Sequence, residues 1–196
     1  MKENVNCFYH GTGEYLDNAI SNMHAILETG FIRSKNNLEE FQGIDLGRGL
    51  YNGRNYVSLG AWDESVNHDV ESFDSAFNGW IFGCPFLVIS NDIDAVHCER
   101  IASGQEYNSE LDRVSQFLDE WHVKGEISID HVLGIALPMD AINEDIKLGF
   151  IEAETVTKLE RIIQIAKEHN WFILEQCDEL AVQMAEERAA SMNKHK

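Results

Sequence analysis

Three short segments of the chain carry side chains that could act on a bound molecule. The segment His10–Thr12 offers an imidazole followed by a glycine, and Tyr56 and Ser58 lie two residues apart in a β-prone stretch. Glu120 opens a third stretch of the same character. A carboxylate can stabilise a developing positive charge or accept a proton, and an imidazole can donate or accept a hydrogen bond. These residue types predict a polar site that handles charge or protons.

The residues around the first segment follow the patterns of a strand and a helix. Val5–His10 is β-prone and ends abruptly at the glycines Gly11 and Gly13. A helical repeat of apolar residues follows, and Gly30 stands where a C-cap glycine belongs. Phe31–Ile32 then indicates a short strand. The apolar residues of the helical repeat are Leu16, Ile20, Met23 and Leu27.

Further strands and loops are predicted in the middle of the chain. Phe86–Ile89 is a continuous apolar run, which is typical of a strand buried on both faces. The polar stretches 33–54 and 99–116 are predicted to be long loops, and Trp62–Phe73 a polar helix or turn. The other predicted strands are Asn55–Leu59, Trp121–Val123 and Val132–Leu137.

The C-terminal part of the chain is predicted to be helical, from an apolar stripe that begins after Glu154 and a second helix over Leu180–Met192. Strands mixed with helices predict an α+β fold. The 196 residues, 44% of them hydrophobic, are enough for one well-packed domain. We expect a core at about residues 5–138 and a helical extension at about residues 150–192.

In order and character the three segments resemble the ADP-ribosyltransferases of the His-Tyr-Glu class, which include the poly(ADP-ribose) polymerases and diphtheria-toxin-like enzymes. In that family a strand carries His-Gly, a helix ends near a glycine, a later strand carries Tyr, and a late strand opens with the catalytic Glu. The resemblance covers about residues 7–137 and implies a split β-sheet core with flanking helices. The runs that carry it are Phe8–Thr12, Gly49–Tyr51, Asn55–Leu59, Asp119–Ile127 and Val132–Ile135.

The resemblance implies that one end of the site binds the nicotinamide half of NAD. His10 would hydrogen-bond the ribose next to the nicotinamide, and the Gly11 backbone, with Thr12 beside it, would hold the carboxamide. Ser58 or Ser65 could donate to the same amide. A glycine after His10 suits this role, because backbone groups can approach a ligand where no Cβ intervenes.

The resemblance also implies an aromatic contact and a catalytic carboxylate. Tyr56 would pack against the nicotinamide ring, although Tyr51 competes, since the glycine-rich run before it also resembles the entry to this strand in polymerases. Glu120 would be the catalytic residue. Asp119 and Glu126, by contrast, are expected from the sequence to be ordinary exposed carboxylates. Breaking the nicotinamide–ribose bond builds oxocarbenium character on the sugar, which a nearby carboxylate stabilises.

Two departures from the family pattern affect these expectations. Arginine-modifying relatives carry Glu-x-Glu, whereas Leu118 stands two residues before Glu120, and this counts against arginine as the acceptor. In polymerases a second aromatic residue follows the strand Tyr and stacks on nicotinamide. The corresponding region here offers Asn67-His68 and then Phe73. No dinucleotide-binding glycine motif, P-loop, H-E-x-x-H or G-x-S-x-G motif occurs.

The charge balance restricts the partners. Against 15 Lys and Arg stand 34 Asp and Glu, a net charge of −19. Such a field repels phosphate backbones and anionic membrane surfaces and favours basic or neutral partners. The four cysteines form no C-x-x-C pair, which indicates free thiols in a reducing compartment. No signal-peptide pattern opens the chain, so we expect a cytoplasmic protein or a translocated effector acting in a host cytosol.

The sequence therefore predicts a mono-ADP-ribosyltransferase that uses NAD as co-substrate, without a metal, and favours a protein acceptor. A small-molecule modifier is an alternative, because the His-Gly-Thr opening is similar to that of the compact rifamycin-inactivating ADP-ribosyltransferases. Another is an inactive module that binds NAD or ADP-ribose. Hydrolysis of NAD, with water as the acceptor, is also open.

Overall fold

A computed structural model describes residues 5–34, 37, 39–40, 55–67, 75–100, 114–115 and 117–193. Their main feature is a seven-stranded sheet with the strand order β11-β10-β4-β1-β3-β8-β5. Two further pairs, β2 with β9 and β6 with β7, form small separate sheets. The strands are β1 (Cys7–Gly11), β2 (Phe31–Arg33), β3 (Tyr56–Gly60), β4 (Phe86–Ser90), β5 (Val96–His97), β6 (Glu99–Arg100), β7 (Val114–Ser115), β8 (Glu120–Lys124), β9 (Glu126–Ser128), β10 (Val132–Ala136) and β11 (Phe172–Leu174).

Helices cover both faces of the main sheet. Helices α1 and α3 pack on one face, against a cluster that includes Phe8, Leu59 and Trp121. Helix α4 and a π-helical turn pack on the other face, against a cluster that includes Tyr9 and Phe86. The helices are α1 (Leu16–Thr29), α2 (Met139–Leu148), α3 (Ala153–Glu168) and α4 (Glu179–Asn193), with a single helical turn at Glu64–Asn67 and the π-helical turn at Phe77–Ile81.

The predicted helix after β1 is confirmed, together with its end. Ile20, Met23 and Leu27 are buried on α1, as the apolar repeat requires. Gly30 has the left-handed φ of 78° and donates its N–H to the Ile26 carbonyl, so it closes the helix as a C-cap glycine. The chain then turns directly into β2.

The α+β class is confirmed, and the main sheet is mostly antiparallel. Strand β4 is buried at every residue, as its continuous apolar run predicts. The C-terminal region, predicted from its sequence to be helical, also contributes strand β11, which pairs with β10 in parallel. Helices α2 and α3 form the crossover that such a parallel pair needs.

Strands β1 and β3 meet at one register pair only, Tyr9 opposite Gly60. By contrast, β1 pairs with β4 over all five of its residues and β3 pairs with β8 over five. The main sheet therefore consists of two well-paired parts, β11-β10-β4-β1 and β3-β8-β5, joined at a narrow seam. We call this the β1–β3 seam.

A partly buried polar cluster connects α4 to β1. The Tyr9 hydroxyl donates to Glu186 Oε1 at 2.6 Å, and the Cys7 thiol lies 3.3 Å from the same oxygen. Asn6 Nδ2 donates to the other carboxylate oxygen at 2.9 Å. Burial, and after it the neighbouring groups, raises the pKa of both Cys7 and Tyr9, so both stay protonated as donors. Among the described residues, no helix is long and apolar enough to cross a membrane.

Candidate active site

The three strands that carry the predicted site residues are neighbours in the sheet. His10 lies on β1, Tyr56 and Ser58 lie on β3, and Glu120 opens β8. The register places Tyr9 opposite Gly60 and Gly60 opposite Glu120. Because adjacent strands lie about 4.8 Å apart, the backbone next to His10 is about 10 Å from that of Glu120. Residues 110 positions apart in sequence thus lie two strands apart, although the alternation of side chains directs Tyr9 to the face of Glu120 and His10, opposite Leu87, to the other face.

His10 bridges the β1–β3 seam with its side chain. Its Nδ1 lies 2.9 Å from the Ser58 carbonyl oxygen. A carbonyl oxygen only accepts, so Nδ1 carries the proton, and in the neutral ring Nε2 is left as an acceptor. Burial lowers the pKa of His10, although the hydrogen bond to Ser58 acts in the opposite direction. The imidazole is therefore neutral at pH 7 and able to accept a hydroxyl hydrogen bond.

Gly11 is needed for close packing, and the residue against it is Trp80. A Cβ at position 11 would lie 2.9 Å from the Trp80 carbonyl oxygen and 3.0 Å from its ring atom Cε3. The half-buried indole therefore lies beside the His10–Gly11 backbone. Sequence reasoning did not identify Trp80. It precedes β4 by six residues, and only the π-helical turn brings it to the end of β1.

Thr12 is buried, and its backbone and hydroxyl groups form hydrogen bonds within the protein. Its backbone N–H and its hydroxyl both donate to the Pro85 carbonyl, at 3.1 and 3.0 Å. Its own carbonyl accepts from Asn22 on α1 at 2.9 Å. These bonds fix the chain where it leaves β1, so they hold the end of the strand next to His10.

One face of β3 and β8 is polar where the opposite face is apolar. Val57, Leu59, Trp121 and Val123 point into the core. Successive side chains of a strand alternate between faces, so Tyr56, Ser58, Glu120 and His122 share the other face. This alternation is visible in the sequence Glu-Trp-His-Val of β8 and is the signal that could have identified His122.

Glu120 and His122 form a buried pair on this polar face. Glu120 Oε1 lies 3.1 Å from His122 Nε2, and each residue is 6% exposed. The half-buried Tyr56 ring stacks on the His122 imidazole, with ring centroids 5.6 Å apart and an angle of 29° between the planes. Tyr56 lies four residues from Gly60 along β3, about 14 Å from the row that contains Glu120. His122 therefore lies between the predicted aromatic residue and the predicted carboxylate.

The sequence predicted that Asp119 is an ordinary exposed carboxylate. This prediction is wrong, because Asp119 is only 2% exposed. Its Oδ1 accepts from the Ala76 N–H at 2.6 Å, and its Oδ2 accepts from Asn67 Nδ2 and Ser75 Oγ, both at 2.9 Å. Burial raises its pKa, while these hydrogen bonds act to lower it. The carboxylate joins the start of β8 to the helical turn at Glu64–Asn67 and to the residue that precedes the π-helical turn.

A thiol borders Glu120 on its other side. The Cys98 N–H donates to the Glu120 carbonyl at 3.0 Å, and the residue is buried. Burial, together with the negative charge of Glu120, raises the pKa of Cys98, so the group is a neutral thiol.

Two candidate residues have no described side chain. Tyr51 lies outside the described residues, as do most of the stretches 33–54 and 99–116 that were predicted to be loops. The backbone of Ser65 lies in the helical turn Glu64–Asn67. Within the part of the chain that the structure describes, no three His, Cys, Asp or Glu side chains form a group that could hold a metal ion.

Comparison of the chain with protein-family models, with curated proteins and with solved structures finds no match.

Proposed function

We propose that this protein cleaves NAD at the nicotinamide–ribose bond and transfers the ADP-ribosyl group to a protein acceptor. The observation that carries the proposal is the adjacency of β1, β3 and β8, with Tyr9, Gly60 and Glu120 in one register row. The resemblance of the sequence requires a His strand, a Tyr strand and a Glu strand to form one site. Nothing in the sequence alone made these three strands neighbours.

The proposed chemistry uses His10 and Glu120 in different roles and from opposite faces of the sheet, so NAD would have to contact both sides of the β1–β3 seam. His10 Nε2 accepts a hydrogen bond from a ribose hydroxyl and orients the sugar. The bond between the ribose C1′ and the nicotinamide nitrogen breaks, and its electron pair leaves with neutral nicotinamide. Glu120 stabilises the positive charge that develops on the sugar. The acceptor then forms its bond to C1′, and its proton passes to the Glu120 carboxylate.

The proposed nicotinamide contact comes from Trp80. Its half-buried indole fills the space beside the Gly11 backbone, whereas Tyr56 stacks on His122. A flat aromatic ring beside the nicotinamide buries apolar area and orients the leaving group. In this arrangement Tyr56 supports the site through His122.

The proposed acceptor is a protein because of the charge of the whole chain. A net charge of −19 attracts a basic macromolecular surface. It opposes polyanionic acceptors such as nucleic acids. NAD itself is an anion, so its phosphates require a local exception to this field.

The test is nicotinamide release from NAD by the purified protein, with and without a cell lysate. Glu120→Gln keeps the shape of the side chain and removes its charge, and we expect release to fall by about 100-fold or more while NAD binding persists. Glu126→Gln is the matched control, since Glu126 is an exposed carboxylate on the following strand. It should retain full activity.

Each outcome of this test separates the proposal from its alternatives. Release that Glu120→Gln abolishes and Glu126→Gln does not supports the proposal, and mass analysis of the products then distinguishes a labelled protein, a labelled small molecule and free ADP-ribose. NAD binding without release, even with lysate present, would make the protein a binding module. If the protein neither binds NAD nor releases nicotinamide, the proposal is overturned.

A further inference from the structure

The buried pair of Glu120 and His122 lies in a strand that is otherwise apolar on its core side. Acidic side chains are rarely fully buried unless they are paired, because their charge loses its hydration. Both residues are 6% exposed and they lie 3.1 Å apart. We therefore infer that His122 is placed on β8 as the hydrogen-bond partner of the buried Glu120 side chain.

The geometry defines what His122 does to Glu120. When Glu120 is ionised its oxygens only accept, and Nε2 of His122 is then the donor to Oε1. Tyr56 stacks on the imidazole and limits rotation of its plane. The contact is a charge-assisted hydrogen bond in a site with little water, where such bonds are stronger than between neutral groups.

Few other titratable groups of the described residues face this pair. The Cys98 thiol borders Glu120 and is neutral, and Tyr56 is the ring on His122. Asp119 is directed to Asn67, Ser75 and Ala76. Lys124 follows on the same face of β8 but is exposed and opposite Tyr56, at the far end of the strand.

We propose that His122 is a positioning residue that holds Glu120 in its ionised form and in the orientation that NAD cleavage needs. The inference rests on the proposed function and adds a residue to it. His122 does not act on NAD itself. It donates to the carboxylate, and Tyr56 in turn orients His122, so the three residues form a support chain along one face of β3 and β8.

Two substitutions at position 122 separate the hydrogen bond from the packing. His122→Phe keeps a ring that can stack on Tyr56 and removes the donor, whereas His122→Gln keeps a donor near the Nε2 position and removes the ring. In His122→Phe, we expect kcat for nicotinamide release to fall about 10- to 100-fold, with KM for NAD changed less than about threefold. The acidic limb of the pH profile should move upward by about one unit or more, because the buried carboxylate then loses the hydrogen bond from His122. His122→Gln should recover most of kcat and of the pH profile.

His97→Phe is the matched control. His97 lies on the neighbouring strand β5, its ring contacts Trp121, and its Nε2 bonds the Leu118 carbonyl at 2.9 Å. The His97→Phe variant therefore loses an imidazole hydrogen bond, as His122→Phe does, but this bond is to a backbone carbonyl and not to a carboxylate. We expect His97→Phe to leave the acidic limb unchanged.

The outcomes distinguish this inference from the proposed function. Wild-type release with an unchanged kcat and pH profile in His122→Phe would overturn the role of His122 and leave the proposed function standing. Equal losses in all three variants without a shift of the acidic limb would show a structural role only, which also overturns it. A wild-type protein that releases no nicotinamide would overturn both.

Discussion

At the scale of single residues, His10 links the protonation of the site to the stability of the fold. Its Nδ1–H bonds the Ser58 carbonyl across the β1–β3 seam, and burial lowers its pKa below the ordinary 6.5. The unfolded chain therefore binds a proton at a higher pH than the folded chain does. By linkage, the free energy of unfolding decreases as the pH falls from about 6.5 through the folded-state pKa.

This linkage gives a prediction for His10→Gln. The wild type should lose more stability between pH 7.5 and pH 5.5 than the variant does, because only the wild type carries the imidazole. Urea unfolding followed by circular dichroism at several pH values measures the difference. Parallel stability curves for the two proteins would show that His10 is not held neutral by the fold.

At this scale, some residues of the candidate site could be predicted from the sequence and others could not. His10 and Glu120 could be proposed because each lies in a recognisable local context, a strand end before a glycine and the start of a strand after a long polar stretch. Trp80 could not, since it reaches Gly11 only through the π-helical turn. The role proposed for His122 was not predicted, because it depends on a side-chain contact with Glu120, although the alternation of β8 places both residues on one face.

At the scale of elements, Asp119 fixes the position of the segment that carries Trp80. Its carboxylate accepts hydrogen bonds from the side chains of Asn67 and Ser75 and from the backbone N–H of Ala76. All three donors precede the π-helical turn, which begins at Phe77. The adjacent residue in the chain is Glu120. The same short stretch therefore supplies the proposed catalytic carboxylate and holds the proposed aromatic contact in place.

We predict that Asp119→Ala costs about 3 kcal/mol or more of unfolding free energy, since it leaves buried donors without an acceptor. Nicotinamide release should fall as well, because Trp80 is no longer held beside Gly11. Chemical denaturation and activity at a temperature where the variant is folded measure the two effects. Asp130→Ala, at an exposed carboxylate before β10, is the control, and an equal loss in both variants would contradict the role of Asp119.

Which elements could be predicted depended on local signals. Helices α1 and α3 and strand β4 could be predicted from their length, periodicity or continuous apolar character. Strand β11 has three residues within a region of helical pattern, and it is a strand only because β10 offers it a parallel partner. The seam between β1 and β3 is a matter of pairing between distant residues, which no local pattern records.

At the scale of the whole molecule, the net charge of −19 gives a prediction for the choice of acceptor. Transfer to a protein rich in Lys and Arg should fall about tenfold when NaCl is raised from about 50 mM to about 300 mM, because screening shortens the attraction. Nicotinamide release without an acceptor should change much less. Mass spectrometry of labelled acceptors, with a neutral protein as the control, measures this, and equal salt dependence for both acceptors would contradict electrostatic selection.

The bond between Tyr9 and Glu186 has a consequence for the order in which the chain folds. The two residues are 177 positions apart, and β1 is the central strand of the main sheet. At ordinary rates of synthesis, roughly ten to forty seconds separate their emergence from the ribosome. During that time the nascent chain holds a central strand whose buried hydroxyl and thiol have no carboxylate to bind. The strand that carries His10 thus reaches its final packing only when helix α4 has been made, so a chain terminated before α4 should be inactive and a target for proteolysis.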